Sequence, residues 1–514
     1  MTGAPASNES PVIRHKLSAS LPLRTLTAAL VALFALDNVL LLRLLGSPPL
    51  LVAALALIVP STLAIITHSL MPGACRIGLP TILTCLVIAA ILLMLGGEGR
   101  LFYAPPDWQV RDAVLADMGN HRWPFDYWLD GRSQMLRAPV GMYLVPALFG
   151  GASQFGRDWI LLAQNSLVLG LLLAQGTALF ENRRTRLIAL LVFVAFSGLD
   201  VLGNLLVQLL NGETRWDHIE DWADGYQYSS HITQLFWVPQ HAIAGWTAAL
   251  AYLLWQRKLA PIGLFAAILP LVALWSPLVL FGALPFALFA GCRTLSTHAW
   301  NWRDVLWCGI AILLAIPALL YLSTGAAEVG GGLNPPKAIV YVLLLLLEVV
   351  PFLLPVLRDC NNRIDRPTIL ITGACLFLMP SWTIGMFNDF QMRASIMPLA
   401  VLALAFADWA GRIDHRRTKI ICWVIVALGA VTGGIEIANA LRLTPSPVPH
   451  CSVVGVWDRQ TGRSAPYASY FADRDAFRFR PHPVDRVSTA NPAQCWDHPW
   501  RMPIGMTVSQ QARP

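Results

Sequence analysis

Charge is scarce in this chain. Only 13% of its 514 residues are Asp, Glu, Lys or Arg, whereas a soluble domain carries about 25%. That shortage, with 56% hydrophobic residues, excludes an ordinary water-soluble globule. Short segments of alternating polarity are lacking, which excludes a transmembrane β-barrel. Among the nine cysteines there is no C-x-x-C and no Cys/His spacing of a metal site. The opening MTGAPASNESPVIRHKLSASLPLR lacks the early apolar core and small-residue cleavage site of a removable signal peptide. The net charge of +7 does not come from one basic patch. It is spread over short loops, which speaks against nucleic acid as a partner.

What is abundant is long apolar runs. From Leu23 to Leu441 they recur at about 20 residues each, the length that crosses a hydrocarbon core. They predict an all-α polytopic membrane protein with about thirteen spans, near 25–45, 49–68, 77–96, 158–180, 186–210, 234–255, 259–275, 276–292, 304–323, 337–357, 367–384, 394–410 and 418–440. Prolines at 270, 277 and 285 interrupt the pair from Leu259 to Cys292, which reads as two short spans or as one span and a re-entrant piece.

Lys and Arg concentrate in alternate loops: Arg14 to Lys16, Arg76, ENRRTR at 181–186, QRK at 256–258, RDCNNRIDR at 358–366 and GRIDHRRTK at 411–419. By the positive-inside rule these face the cytoplasm. The chain then divides into a cytoplasmic tail (1–23), a multi-span domain (24–441) and a small periplasmic C-terminal domain (442–514) of a bacterial inner-membrane protein. The large outer loops are 97–157 and 211–233. Cys451 and Cys495 lie in the external tail and can form a disulfide there.

The outer side carries the candidate chemistry. Pro105 to Trp128 holds four acids, two arginines, one histidine and three tryptophans. Val110, Val114, Leu115 and Met118 have helical spacing, and the apolar stretch 138–151 is too short to span. Both read as interfacial helices at the membrane surface, with tryptophans at headgroup level. Asp107 and Asp112 are candidate general bases, because a carboxylate at the water–lipid boundary can take a proton from a hydroxyl; ordinary solvated loop acids are the plainer reading. The stretch WDHIEDWADGYQYSSH at 216–231 has the acids, histidines and aromatics to hold a divalent cation or sugar hydroxyls, or is simply an acidic outer loop. Gln240 and His241 follow a proline near the outer end of a span, where polar groups are costly. Asp389 and Arg393 have i,i+4 spacing and can pair, or Arg393 can hold a lipid phosphate. Arg215 is a further cation in the second outer loop. Asp37, Glu348 and Glu436 lie inside spans, too few for a clear proton relay.

One layout stands out. An outer Asp follows a span, an amphipathic stretch comes next, then RAPV at 137–140, LFGG at 148–151, a span, and ENRRTR. Over about residues 77–190 this resembles the GT-C class of polyprenyl-phosphate-sugar glycosyltransferases. Members of that class show an acidic pair after an early span, a K-P-P-L-like piece and an F-G ending. Here the acidic pair is Asp-Trp, and the basic residue and one proline of K-P-P-L differ. Two spans also precede the one that leads into the loop. The resemblance implies a GT-C-like fold and inverting sugar transfer on the periplasmic face. The donor would be a polyprenyl-phosphate-linked sugar and the acceptor an envelope glycan, lipid or protein. Asp107 would serve as base, with Asp112 as the alternative. Arg393, His241, Gln240, Arg215, Asp389 and Arg137 would bind substrate. The resemblance fixes no cofactor, and a divalent cation remains open. Membrane lipids are the other partners. A transporter or flippase of lipid-linked glycans, and an O-antigen-ligase-like enzyme, are the competing readings.

Overall fold

A computed structural model describes residues 19–212, 216, 218–385, 388–461, 467–489 and 494–501. It is mostly helical. The helices before the second outer loop are α1 (Leu23–Leu44), α2 (Pro49–Leu70), α3 (Leu79–Leu95), α4 (Trp108–Asn120), α5 (Gly141–Phe149), α6 (Gln154–Gly176), α7 (Arg183–Ala195) and α8 (Asp200–Asn211). After it come α9 (His231–Trp237), α10 (Pro239–Gln256), α11 (Ile262–Val272), α12 (Pro277–Ser296), α13 (Trp302–Ser323), α14 (Ala338–Glu348), α15 (Val350–Arg358), α16 (Arg366–Leu378), α17 (Asp389–Ala394), α18 (Ile396–Arg412), α19 (Arg416–Arg442) and α20 (Val453–Thr461).

Seven helical segments among the described residues are long and apolar enough to cross a membrane, or eight if the bent pair α14–α15 counts as one span. The chain is a multi-pass α-helical membrane protein. Helix starts follow local chemistry. Ser153, Asn182 and Asp365 each accept a backbone N–H at the first turn of α6, α7 and α16, which satisfies one of the free donors of a helix end. Several expected spans are shorter or broken. Residues 234–255 divide at Val238, where Pro239 cannot continue the hydrogen-bond ladder of α9. The run 186–210 divides at Phe196–Leu199.

Burial sorts the spans. The apolar window of α1 is 67% buried and that of α2 only 22%, so α1 runs inside the bundle against α5, α6, α11 and α13 while α2 presents its side chains to lipid. The basic loops gather at one end of the bundle. There Arg363 pairs with Glu181 at 3.0 Å, Arg412 with Asp359 at 2.6 Å and Arg293 with Asp365. Strands β1 (Ser20–Pro22) and β2 (Arg76–Gly78) join at the start of α1 and α3.

The opposite end holds a feature that apolar periodicity does not predict. Between α4 and α5 the chain forms a hairpin, β3 (Phe125–Leu129) and β4 (Arg132–Leu136). Strands β5 (Gly331–Leu333) and β6 (Trp382–Ile384) pair nearby in sequence order. From the C-terminal stretch, β7 (Phe471–Asp473) pairs antiparallel with β4, and β8 (Asp485–Val487) pairs parallel with β3. The order is β7-β4-β3-β8. Two short strands of the C-terminal stretch thus share one sheet with the hairpin between α4 and α5. Cys451 and Cys495 are bonded and strap this stretch.

The sequence places two helices on the membrane surface over 108–151; the structure instead encloses α4. Helix α20 packs on it, and Trp108 and Trp123 are buried, donating to the Phe236 and Met118 carbonyls at 2.7 Å each. Only Trp128 stays exposed, at 51%. The indole N–H groups find backbone acceptors, so burial costs these tryptophans little.

Candidate active site at one end of the bundle

The centre of the site is Arg111, which sequence reasoning did not single out. It projects from the first turn of α4 and is almost fully enclosed. Its guanidinium donates to Gln240 Oε1 at 2.5 Å and to the Trp237 carbonyl at 3.0 Å, and it faces Asp107 Oδ2 at 3.3 Å. The Tyr143 hydroxyl of α5 stands within hydrogen-bonding reach. A planar, permanently charged fork suits such a hub. Its four neighbours come from four parts of the chain.

His241 lies one residue beyond Gln240 in α10. Its Nδ1 is 2.8 Å from Ser276 Oγ, and the charges of Arg393 and Arg111 both act on it. Arg393 sits on α17 and pairs with Asp389. One of its nitrogens, Nε, is buried without a hydrogen-bond partner. Helix α17 is pressed against α12, where a Cβ on Gly282 would fall 1.9 Å from the Ala394 carbonyl. Tyr470, from the C-terminal stretch, closes the group: Arg111, Asp107, Arg393 and Asp389 all act on its hydroxyl, and burial pushes its pKa up. Five predicted residues, Asp107, Gln240, His241, Asp389 and Arg393, therefore share one neighbourhood with Arg111, Tyr143 and Tyr470.

Asp107 is the open member, with its side chain 36% exposed. Asp112 is turned away from it and closed in, at 7%. Arg100 joins Asp112 at 3.0 Å and Asp158 at 2.5 Å, and also donates to the Pro447 carbonyl at 2.6 Å. Burial raises the pKa of Asp112 to about 7; the Arg100 charge opposes this and the second carboxylate, Asp158, adds to it. Two acids compete for one guanidinium, so neither is fully compensated. Glu98 lies nearby, pushed up to about 8 by burial and held at 2.9 Å by Asn165.

Arg137 takes a different place. Its backbone N–H donates to the Tyr470 carbonyl at 2.6 Å and its guanidinium to the Ala468 carbonyl. It clamps the segment that carries Tyr470 instead of facing the centre. Arg215 lies outside the described residues. The segment 218–231 is folded inward, with Ile219, Glu220 and Trp222 buried. Glu220 accepts the Ser230 N–H at 2.8 Å, and Tyr228 is buried as well. His218 meets Glu436 at 3.0 Å. Among the described residues no group of three or more His, Cys, Asp or Glu is placed to hold a metal ion.

Three residues escaped the sequence reading for different reasons. Arg111 is one of several charged positions on the helix that Val110, Val114, Leu115 and Met118 predict, and nothing local distinguishes it from the others. Tyr143 is embedded in an apolar run. Tyr470 reaches the site only because β7 pairs with β4, a contact more than 300 positions away in sequence.

No known protein family, curated protein or solved structure matches this chain. The fold and the site define its class as a multi-pass helical membrane protein with a polar cluster built around two arginines at one end of the bundle.

Proposed function

We propose that the protein is a GT-C-like membrane glycosyltransferase. It would transfer a sugar from a polyprenyl-phosphate donor to an envelope glycan, lipid or protein, on the periplasmic face of a bacterial inner membrane. The gathering of the basic loops at one end and the disulfide at the other supports N-inside, C-outside topology, with the shorter helices α3, α10, α11, α16 and α18 completing about thirteen passes. The observation that carries the reading is the open carboxylate of Asp107 in the same neighbourhood as Arg111, Arg393 and His241.

In this reading the acceptor hydroxyl gives its proton to Asp107 as its oxygen attacks the anomeric carbon. The bond from that carbon to the phosphate oxygen breaks, with inversion, and polyprenyl phosphate leaves. Arg393, with its unpartnered Nε–H, stabilises the departing phosphate, and His241 and Gln240 flank it. Asp389 holds Arg393, and Tyr470 bounds the acceptor side. Asp112 serves to orient α4 through Arg100.

The test is sugar transfer in membranes given a panel of labelled polyprenyl-phosphate sugars, comparing the native protein with Asp107→Asn and Asp112→Asn at equal protein level. Loss in the first variant alone supports the assignment. Loss in the second alone moves the base to Asp112. Absence of transfer from every donor overturns the enzyme reading in favour of a flippase or transporter. That second reading has an observation of its own, since paired helix breaks inside the bundle are a common feature of transporters.

A further inference from the structure

A second group of buried acids lies inside the bundle, unused by the transfer reaction. Two membrane segments are interrupted where they meet. Helices α7 and α8 are separated by Phe196–Leu199, and α14 and α15 meet at Val349 with a bend of 56°. Pro351 in the first turn of α15 lacks the N–H that would continue α14. The two breaks are docked: the Leu199 N–H donates to the Leu347 carbonyl at 3.1 Å. Each break places a carboxyl group at the junction. Asp200 opens α8 and Glu348 closes α14; both are 1% exposed.

The Glu348 carboxyl packs over Gly198, two residues before Asp200, and the two acids act on each other. Asp200 Oδ2 accepts from Ser197 Oγ at 2.7 Å and from Thr432 Oγ1 at 2.8 Å. Glu348 Oε1 accepts from Trp222 Nε1 at 3.0 Å. Glu348 Oε2 is buried with no donor. It fills the space over Gly198, where a Cβ would fall 1.5 Å from it, so only glycine leaves room for the carboxyl. Among the described residues no Arg or Lys pairs with either acid. The other titratable neighbours are Glu220, which accepts the Ser230 N–H, His218, which pairs with Glu436, and Tyr228. Two carboxylates are acceptors only, and cannot bond unless one carries a proton. Ionising both would set like charges together in a low-dielectric interior, the situation in which such a pair keeps one proton.

We propose that Asp200 and Glu348 form an intramembrane proton-binding site. It holds one proton between Glu348 Oε2 and Asp200, and release of that proton to water separates the two helix breaks. Exchange runs through the neighbours of Asp200, of which His218 reaches solvent with its side chain 14% exposed. Seated at paired breaks, the site ties bundle shape to proton concentration on the outer side, whatever substrate the outer pocket handles.

The experiment uses the full chain in lipid nanodiscs. Infrared difference spectra on alkaline titration report the C=O stretch of a protonated carboxyl, and hydrogen exchange reports the Phe196–Leu199 amides. Glu98, Asp112 and Glu220 are also raised by burial, so the native protein is expected to lose, beside their bands, one further band as pH rises that Glu348→Gln lacks, because its amide N–H₂ supplies the missing donor. The ratio of native to Glu348→Gln exchange rates, taken at equal pH to cancel intrinsic chemistry, should be one before release. Beyond it the ratio should rise about tenfold per pH unit, the slope of one linked proton. Asp200→Asn is the second variant should the first not fold; its band should be lost or shifted. No titrating carboxyl band in the native protein beyond those the variants keep, or a ratio of one throughout, overturns the proposal.

Discussion

Asp107 and Asp112 stand five residues apart on one helix and live in different worlds. Asp107 faces outward at the first turn, shares one well-anchored arginine and keeps an open edge. Asp112 faces inward and shares Arg100 with Asp158 under the cover of the C-terminal stretch. The same side chain is thus open to solvent at one position and enclosed in an ion-pair cluster at the other, the division of roles that the proposed reaction requires. What differs is not the residue but its surroundings: Arg100 and Asp158 close on Asp112, while Asp107 keeps a single arginine and an open edge.

The largest effect should separate these roles by activity. Asp107→Asn is expected to lower sugar transfer roughly 10²–10⁴-fold, the usual contribution of a general base, with thermal unfolding unchanged. Equal loss of transfer and of stability would break the comparison. Asp112→Asn should do the reverse. It leaves part of the Arg100 fork unsatisfied and should cost roughly 1–3 kcal/mol of stability, read as a lower unfolding temperature, while transfer per folded molecule is retained.

The tail that packs against α4 can be loosened directly. Cys451→Ser with Cys495→Ser removes a cross-link spanning 44 positions and should cost about 2–4 kcal/mol. The check is protease cleavage of residues 442–489 in detergent. Intact tail resistance without the disulfide would mean that the β7–β4 and β8–β3 pairings hold it alone. If the tail lies outside, the two thiols of the reduced native protein should also react with a membrane-impermeant reagent in intact cells.

The smallest effect concerns pH. Burial lowers the pKa of His218, but the Glu436 hydrogen bond and charge outweigh it and raise it to about 9. A histidine raised above its unfolded value near 6.5 stabilises fully below that value, and the contribution is lost as pH rises through about 9. Glu220, raised to about 8 by burial and then by Asp200, acts in the same direction. Unfolding temperature should therefore fall between about pH 6.5 and 9, and the fall should be shallower in His218→Gln. A flat profile in the native protein would sink the pairing of His218 with Glu436 as a source of stability.

Much of the site was marked locally in the sequence. Gln240 and His241 stand out because polar groups beside a span are expensive, and Arg393 because an arginine at an outer helix end opposes the positive-inside trend. Asp107 stands out as the first acid after an apolar run. Asp200 could have been found by the same logic, since Ser-Gly interrupts an apolar run just before it, but reading 186–210 as one continuous span hid the break. The hairpin at 125–136 left little trace, because its strands are short and their partners lie in the tail. Arg111 and Tyr470 left none, since neither has a local context that differs from ordinary loop or helix.

The sequence by itself determined the class of the protein: repeated apolar runs of span length make a multi-pass helical membrane protein, because every backbone polar group must be satisfied inside lipid. Tertiary structure decided which polar residues meet. The segment between α3 and α6, α10, α17 and the tail each bring a few groups that are unremarkable alone; a strand pairing across more than 300 positions brings Tyr470 to Arg111, and Arg100 with Asp158 closes on Asp112 while Asp107 stays open. Local patterns report a residue's preference for water or lipid; they carry no record of the long-range contacts that set its charge and its partners.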